Sequence, residues 1–258
     1  MLGSADARLF GGFLKRLSHV FCAEDAGGLS TGKDDKRKRC KADPKCTNPP
    51  SCQQPLNIAV LVSGGGTNLQ ALIDYKKHGG IKNGRISLVV SSKPDVYAIK
   101  RAEDNGIPVK VLNKREYTSS ELFDNAVQNT MQEHNIDLIV LAGFLHVFGE
   151  GFTRKYQNKI LNVHPSLIPS FCGKGFYGLK VHKSAIEYGV KLTGATVHFV
   201  NEVCDGGKII LQKAVEVFDG DTPEILQKRV MEQAEQVILP RAVEMVCDEV
   251  MDFKGELH

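Results

Sequence analysis

From Asn57 onward the chain alternates short apolar runs with segments whose apolar residues recur at helical spacing. Ile58 to Val62 is apolar throughout, as a strand covered on both faces must be. Ser63-Gly64-Gly65-Gly66 then reads as a tight turn, and Thr67 as the cap of a helix over 68–77 with Leu69, Leu72 and Ile73 on one face. Ile86 to Val90 is a second strand; 95–105 is a second helix, ended by Asn105-Gly106. Val109 to Leu112 is a short strand. Thr118-x-x-Glu121 reads as a capping box for a helix reaching about His134, with Leu122, Phe123, Ala126, Val127 and Met131 inward. Asp137 to Leu141 is the most apolar strand, stopped by Gly143. Strands alternating with helices predict a Rossmann-like α/β fold, a mostly parallel sheet flanked by helices.

Beyond Lys159 the style changes. Ile160-Leu161 leads into Asn162-Val163-His164-Pro165-Ser166, and Gly173 to Gly178 reads as a loop. Val181 to Tyr188 is helical. Thr193 to Val200 and Ile209 to Val217 are two longer strands, expected to pair antiparallel. Asp221-Thr222-Pro223-Glu224 opens a long helix with Pro223 in its tolerated first turn. Ile225, Leu226, Val230, Val237 and Ile238 are its predicted inward face, and Pro240 is expected to kink it.

Of the 258 residues, 42% are apolar and 24% charged, the balance of a globular protein, and no apolar run approaches the roughly 20 residues of a membrane span. The net charge of +3 is uneven: residues 1–55 hold ten Lys and Arg against six Asp and Glu, and residues 56–258 hold 23 against 24. A near-neutral folded part argues against a nucleic-acid partner. Residues 1–55, with the run Lys36-Arg37-Lys38-Arg39 and a polar, proline-bearing stretch after Thr47, read as a disordered N-terminal extension. An amphipathic pattern over 9–21 has the look of a targeting helix, but Asp6, Glu24 and Asp25 fit one badly. Residues 56–258 form the expected domain. Seven cysteines, four before Gln53 and three at Cys172, Cys204 and Cys247, show no zinc spacing and no even framework. The expectation is a reducing, cytoplasmic setting and no metal.

The candidate chemistry follows from position. Bare glycine amides between a first strand and a helix N-terminus make a phosphate cradle. With Leu69 where a third motif glycine belongs, and no acid after the second strand, a dinucleotide is disfavoured. Asn162 and His164, two apart in an extended segment, point to one side at a strand end. Asp205, in the turn Cys204-Asp205-Gly206-Gly207, completes an amide, imidazole and carboxylate set suited to acyl transfer onto an amine. A nearby carboxylate favours the imidazolium, and an imidazolium beside a carboxamide stabilises an oxyanion. His78 and His134 are explained as helix-end residues; His198 faces either a cleft or solvent; His146 is a pocket-lining residue. No feature marks Cys172 or Cys204 as a nucleophile.

Over Asn57 to Val250 the chain resembles the phosphoribosylglycinamide formyltransferases, folate-dependent enzymes of purine synthesis. Ala59 to Gln70, Leu141 to Phe144, Ile160 to Leu167 and Gly194 to Gly207 carry the resemblance. It implies 10-formyltetrahydrofolate and glycinamide ribonucleotide as substrates of a monomer or homodimer. It implies Asn162, His164 and Asp205 as catalytic residues, and Gly66, Thr67, Asn68, Glu232 and Glu235 at the ribonucleotide. The folate would lie on Leu145, His146, Val147 and Phe148, with Asn201, Glu202, Val203, Cys204, Asp205 and Asn162. Around Glu232 to Ala234 the helix is one residue longer than the family pattern. Ser120 stands where the family often has an arginine for the folate glutamate tail, with Lys114 or Arg115 as substitutes. The related methionyl-tRNA formyltransferases and formyltetrahydrofolate hydrolases share Asn-x-His, while the Gly-Gly-Gly-Thr-Asn turn favours the purine enzyme.

Overall fold

The computed structural model describes residues 54–256. The expectations for residues 1–53, a disordered extension, the 9–21 helix, the basic run and the four leader cysteines, lie outside them. Most of the described residues fall in one compact unit, Pro55–Asp248.

Seven strands form one sheet: β1 (Leu56–Val62), β2 (Gly84–Ser91), β3 (Val109–Val111), β4 (Leu138–Leu141), β5 (Ile160–His164), β6 (Leu192–Phe199) and β7 (Ile209–Glu216). Their order is β3-β2-β1-β4-β5-β6-β7. Pairs from β3 through β5 are parallel, and β5–β6 and β6–β7 are antiparallel. The expected antiparallel pair is therefore present, and β6 also joins β5 antiparallel. Between the strands run α1 (Thr67–Lys77), α2 (Tyr97–Asp104), α3 (Ser120–Glu133), α4 (Glu150–Lys155) and α5 (Leu179–Tyr188). After β7 come α6 (Pro223–Val230), a π turn over Met231–Glu235 and α7 (Gln236–Glu256).

The central strands are buried on both faces, which is why they read as unbroken apolar runs. On one face Ala59, Leu61, Leu88, Ile139 and Leu141 pack with Phe123, Val127 and Met131 of α3 and Phe152 of α4. Each of the larger ones, Leu, Ile, Val, Met and Phe, contributes about 1.5–3 kcal/mol. Beside the odd-numbered residues of β1, Ile58 points the other way, where an added Cβ at Gly84 would sit 2.7 Å from Ile58 Cδ1 and 2.8 Å from Cys247 Sγ of α7.

Several helix-end expectations are corrected. Thr67 does not cap α1: Gly66 occupies the N-cap at φ 71°, and the Thr67 hydroxyl donates to Met231 Sδ at 3.2 Å. The cap of α3 is Ser119, whose Oγ accepts from Leu122 N at 3.1 Å, not the Thr118 box. Leu122 is exposed, while Phe123, Val127 and Met131 are buried as expected. Thr222 caps α6 through Ile225 N, with Pro223 at its first turn. Ile225 and Val237 are exposed rather than inward; Leu226, Val230 and Ile238 are buried. The π turn between the two helices adds a residue to one turn, so one 3.6-residue period cannot describe both sides of it. Pro240 lies within α7 without ending it.

Candidate active site

The strand order reverses across β1 and β4, and at that switch point the carboxyl ends of β1, β4 and β5 open on one cleft of about 730 Å³. Two segments from the glycine-rich turn and the wall after β4 form its flanks.

The turn after β1 is held from behind. Ala98 N donates to Gly64 O at 3.3 Å, and Arg101 Nε donates to Gly65 O at 2.9 Å. With those carbonyls engaged by α2, the turn lines the cleft, and α1 begins there without a side-chain cap. Its first-turn N–H groups are the kind of donors that hold an anion. Gly66 cannot be another residue at low cost: its φ is left-handed, and a Cβ would lie 2.7 Å from Ala98 Cβ. Asn68 Nδ2 donates to Glu235 Oε2 at 2.7 Å across 167 residues of chain. Burial raises the Glu235 carboxyl above its ordinary range, and the Asn68 bond opposes that rise.

After β4, Phe144 to Phe148 run extended outside the sheet, with alternating burial. Leu145 and Val147 are exposed by 57% and 72%; Phe144, His146 and Phe148 turn into the core. Ser63 Oγ accepts from Leu145 N at 3.0 Å and shares a hydrogen bond of 2.6 Å with Ser92 Oγ. His146 lies along the cleft, but its ring is buried against Asp124. Burial pushes its pKa down, only partly countered by the Asp124 bond.

At the cleft floor, β5 and β6 set Asn162 opposite His198 and His164 opposite Thr196. Asn162 Nδ2 lies 3.2 Å from His198 Nε2, and His198 Nδ1 lies 2.8 Å from Phe199 O. His198 thus holds the Asn162 amide from one side while Asn162 lines the cleft on the other. His164 Nε2 lies 3.0 Å from Phe171 O, and Nδ1 lies 3.6 Å from Asp205 Oδ2. Asp205, at φ 55°, accepts from Gly173 N at 2.8 Å and lies 3.7 Å from His198. Burial alone would raise the Asp205 pKa, but His198, His164 and the Gly173 N–H together hold it below the usual carboxylate range.

Asn162, His164 and Asp205 thus share one cleft with Gly66, Thr67, Asn68 and Glu235, with Leu145 to Phe148, and with Asn201 to Cys204. Glu232 lies elsewhere, exposed and 3.9 Å from Lys228. Lys114 and Arg115 form a 3-10 turn outside the cleft, whereas Lys174 lines it. Sequence reading undervalued His198 and did not single out His182 or Met231, which also line it. His198 becomes visible only through the β5–β6 register. The thiols of Cys172 and Cys204 are raised by burial first and the Asp205 charge second, the reverse of a nucleophilic cysteine. Among the described residues no helix is long and apolar enough to cross a membrane, and no group of three or more His, Cys, Asp or Glu is placed to hold a metal ion.

A profile of the formyl transferase family matches residues 56–243. The trifunctional purine biosynthetic protein adenosine-3 of Gallus gallus is 46% identical over 192 residues, covering 74% of this chain. The chain spans only 18% of that protein's length. The phosphoribosylglycinamide formyltransferase of Haemophilus influenzae is 42% identical over 180 residues, covering 70% of this chain and 82% of that protein. The crystal structure of glycinamide ribonucleotide transformylase 1 from Symbiobacterium toebii superposes with a TM-score of 0.70 at 38% identity, covering 75% of this chain and 88% of that one.

Proposed function

Since the chain belongs to the formyl transferase family, with phosphoribosylglycinamide formyltransferases among its relatives, we propose that it moves the formyl group of 10-formyltetrahydrofolate onto the amine of glycinamide ribonucleotide in purine biosynthesis. The observation that carries the reading is the meeting of Asn162, His164 and Asp205 beside the triple-glycine turn in one cleft.

The acceptor's phosphate sits at Gly66, Thr67 and Asn68, and Glu235 contacts its sugar or glycinamide. Glu232, facing solvent, is left out of this assignment. The pteridine lies on the wall Leu145 to Phe148, with Asn201 to Asp205 closing the other side. Holding both substrates in one cleft supplies the proximity part of the rate. The acceptor nitrogen attacks the formyl carbon, and a C–N bond forms as the carbonyl π pair moves onto oxygen. The Asn162 amide and the His164 Nδ1–H, too far from Asp205 at 3.6 Å for a hydrogen bond, stabilise that oxyanion, each donor contributing on the order of 3 kcal/mol in the transition state. Asp205 balances the imidazolium and helps carry the amine proton, through water, toward N10 of the folate. The bond from the formyl carbon to N10 then breaks, releasing tetrahydrofolate.

The test is formyl transfer with and without glycinamide ribonucleotide. Formylated acceptor and tetrahydrofolate in equal amounts are the expected products. Formate released without acceptor points to a hydrolase, and binding without turnover points to a sensor; either result overturns the reading.

A further inference from the structure

The cleft wall after β4 belongs to no strand, yet three side-chain hydrogen bonds hold it in place. Ser63 Oγ takes Leu145 N at 3.0 Å at one end. At the other, Asp124 of α3 uses both carboxylate oxygens: Oδ1 lies 2.5 Å from His146 Nε2, and Oδ2 accepts from Gly149 N at 2.8 Å. The His146 ring is boxed edge-on by Phe123 at 4.8 Å, Phe148 at 5.0 Å and Phe144 at 6.2 Å. Asp124 is buried and does not line the cleft. Sliding the wall by one residue would strand a buried carboxylate and a buried ring nitrogen without partners, at a cost well above that of an ordinary hydrogen bond. The same slide would swap the exposed Leu145 and Val147 for the inward set, because burial alternates along the run.

We propose that Asp124 is a positioning residue that, through His146 and Gly149, sets the affinity of the cleft for the pteridine-bearing substrate without touching it. This rests on the formyl-transfer reading above. A purely structural role would lower stability and leave substrate discrimination alone, so the two are separable.

The experiment compares the wild-type protein with Asp124→Ala, Asp124→Asn and His146→Phe. It measures KM for each substrate, the Kd of tetrahydrofolate by titration calorimetry, and the thermal midpoint. Asp124→Ala is expected to raise the folate KM and the tetrahydrofolate Kd by about tenfold or more, while the KM for glycinamide ribonucleotide stays put. Asp124→Asn, which keeps the shape and one acceptor oxygen, should fall between. If Asp124→Ala does not fold, Asp124→Asn and His146→Phe read the same split. Folded variants with unchanged folate constants, or with both substrates weakened in parallel, overturn the proposal while leaving the transferase reading intact. A wild-type protein that neither transfers formyl groups nor binds tetrahydrofolate removes both.

Discussion

His164 and His182 share one cleft and one residue type, and their surroundings give them different fates. His164 faces acceptors with both ring nitrogens, Phe171 O at 3.0 Å and Asp205 at 3.6 Å. A role confined to the transition state predicts that His164→Ala lowers kcat roughly a hundred- to a thousand-fold with little change in acceptor KM. Steady-state kinetics with saturating folate checks it, and lost binding with normal turnover would contradict it. His182, buried on α5, finds no hydrogen-bond partner for either ring nitrogen among the described residues. Burial, reinforced by His164, lowers its pKa from 6.5 to about 4. In the unfolded chain it takes up a proton near the ordinary value; in the fold it does so only near 4. Between those values the unfolded form binds more protons, so stability present above about pH 6.5 is lost as pH falls toward 4. The loss attributable to this ring is on the order of 3 kcal/mol. His182→Leu, which keeps the packing, should flatten that part of the stability-against-pH curve in calorimetry from neutrality to about pH 4.

Elements end where backbone geometry and a nearby acceptor agree, and two ends bear on function. Gly66 is both the N-cap of α1 and a point of contact with α2. Gly66→Ala brings a side chain into a left-handed residue, roughly 1–2 kcal/mol, besides the clash with Ala98. Lower stability and a raised acceptor KM, with the folate KM less affected, are expected from denaturant unfolding and kinetics. Thr222→Ala removes the cap of α6 and should cost about 1 kcal/mol. Its distance from the chemistry predicts unchanged KM values, measured beside its unfolding midpoint. The π turn Met231–Glu235 joins α6 to α7. It sits where Met231 meets Thr67 and Glu235 meets Asn68, beside the triple-glycine turn.

At the scale of the whole molecule, the cleft exists because the strand order reverses between β1 and β4, bringing three strand ends to one edge. The sheet and its helices lie within Pro55–Asp248, apart from the last residues of α7. A chain beginning at Pro55 is therefore expected to unfold cooperatively and to transfer formyl groups with the kcat/KM of the full chain; a large loss would assign residues 1–54 a part in the site. Much of this was legible beforehand. Unbroken apolar runs mark strands covered on both faces, and a triple glycine between strand and helix marks the turn that lines the cleft. An amide and an imidazole two apart at a strand end mark two polar side chains that share the cleft. Each signal depends only on residues a few positions apart, so periodicity and local backbone preference suffice to read it. Other features depended on partners far away in the chain. Ser119 and Gly66 prevailed as caps over Thr118 and Thr67, and Leu122, Ile225 and Val237 face outward while their neighbours Phe123, Leu226 and Ile238 face in. His198 entered the site by its register with Asn162, 36 residues away, and Asp124 reached the wall across 22 residues to His146. The linear pattern states which side chains are able to do chemistry; packing decides which of them meet, because a hydrogen bond requires a partner within about 3 Å, wherever the chain has left it.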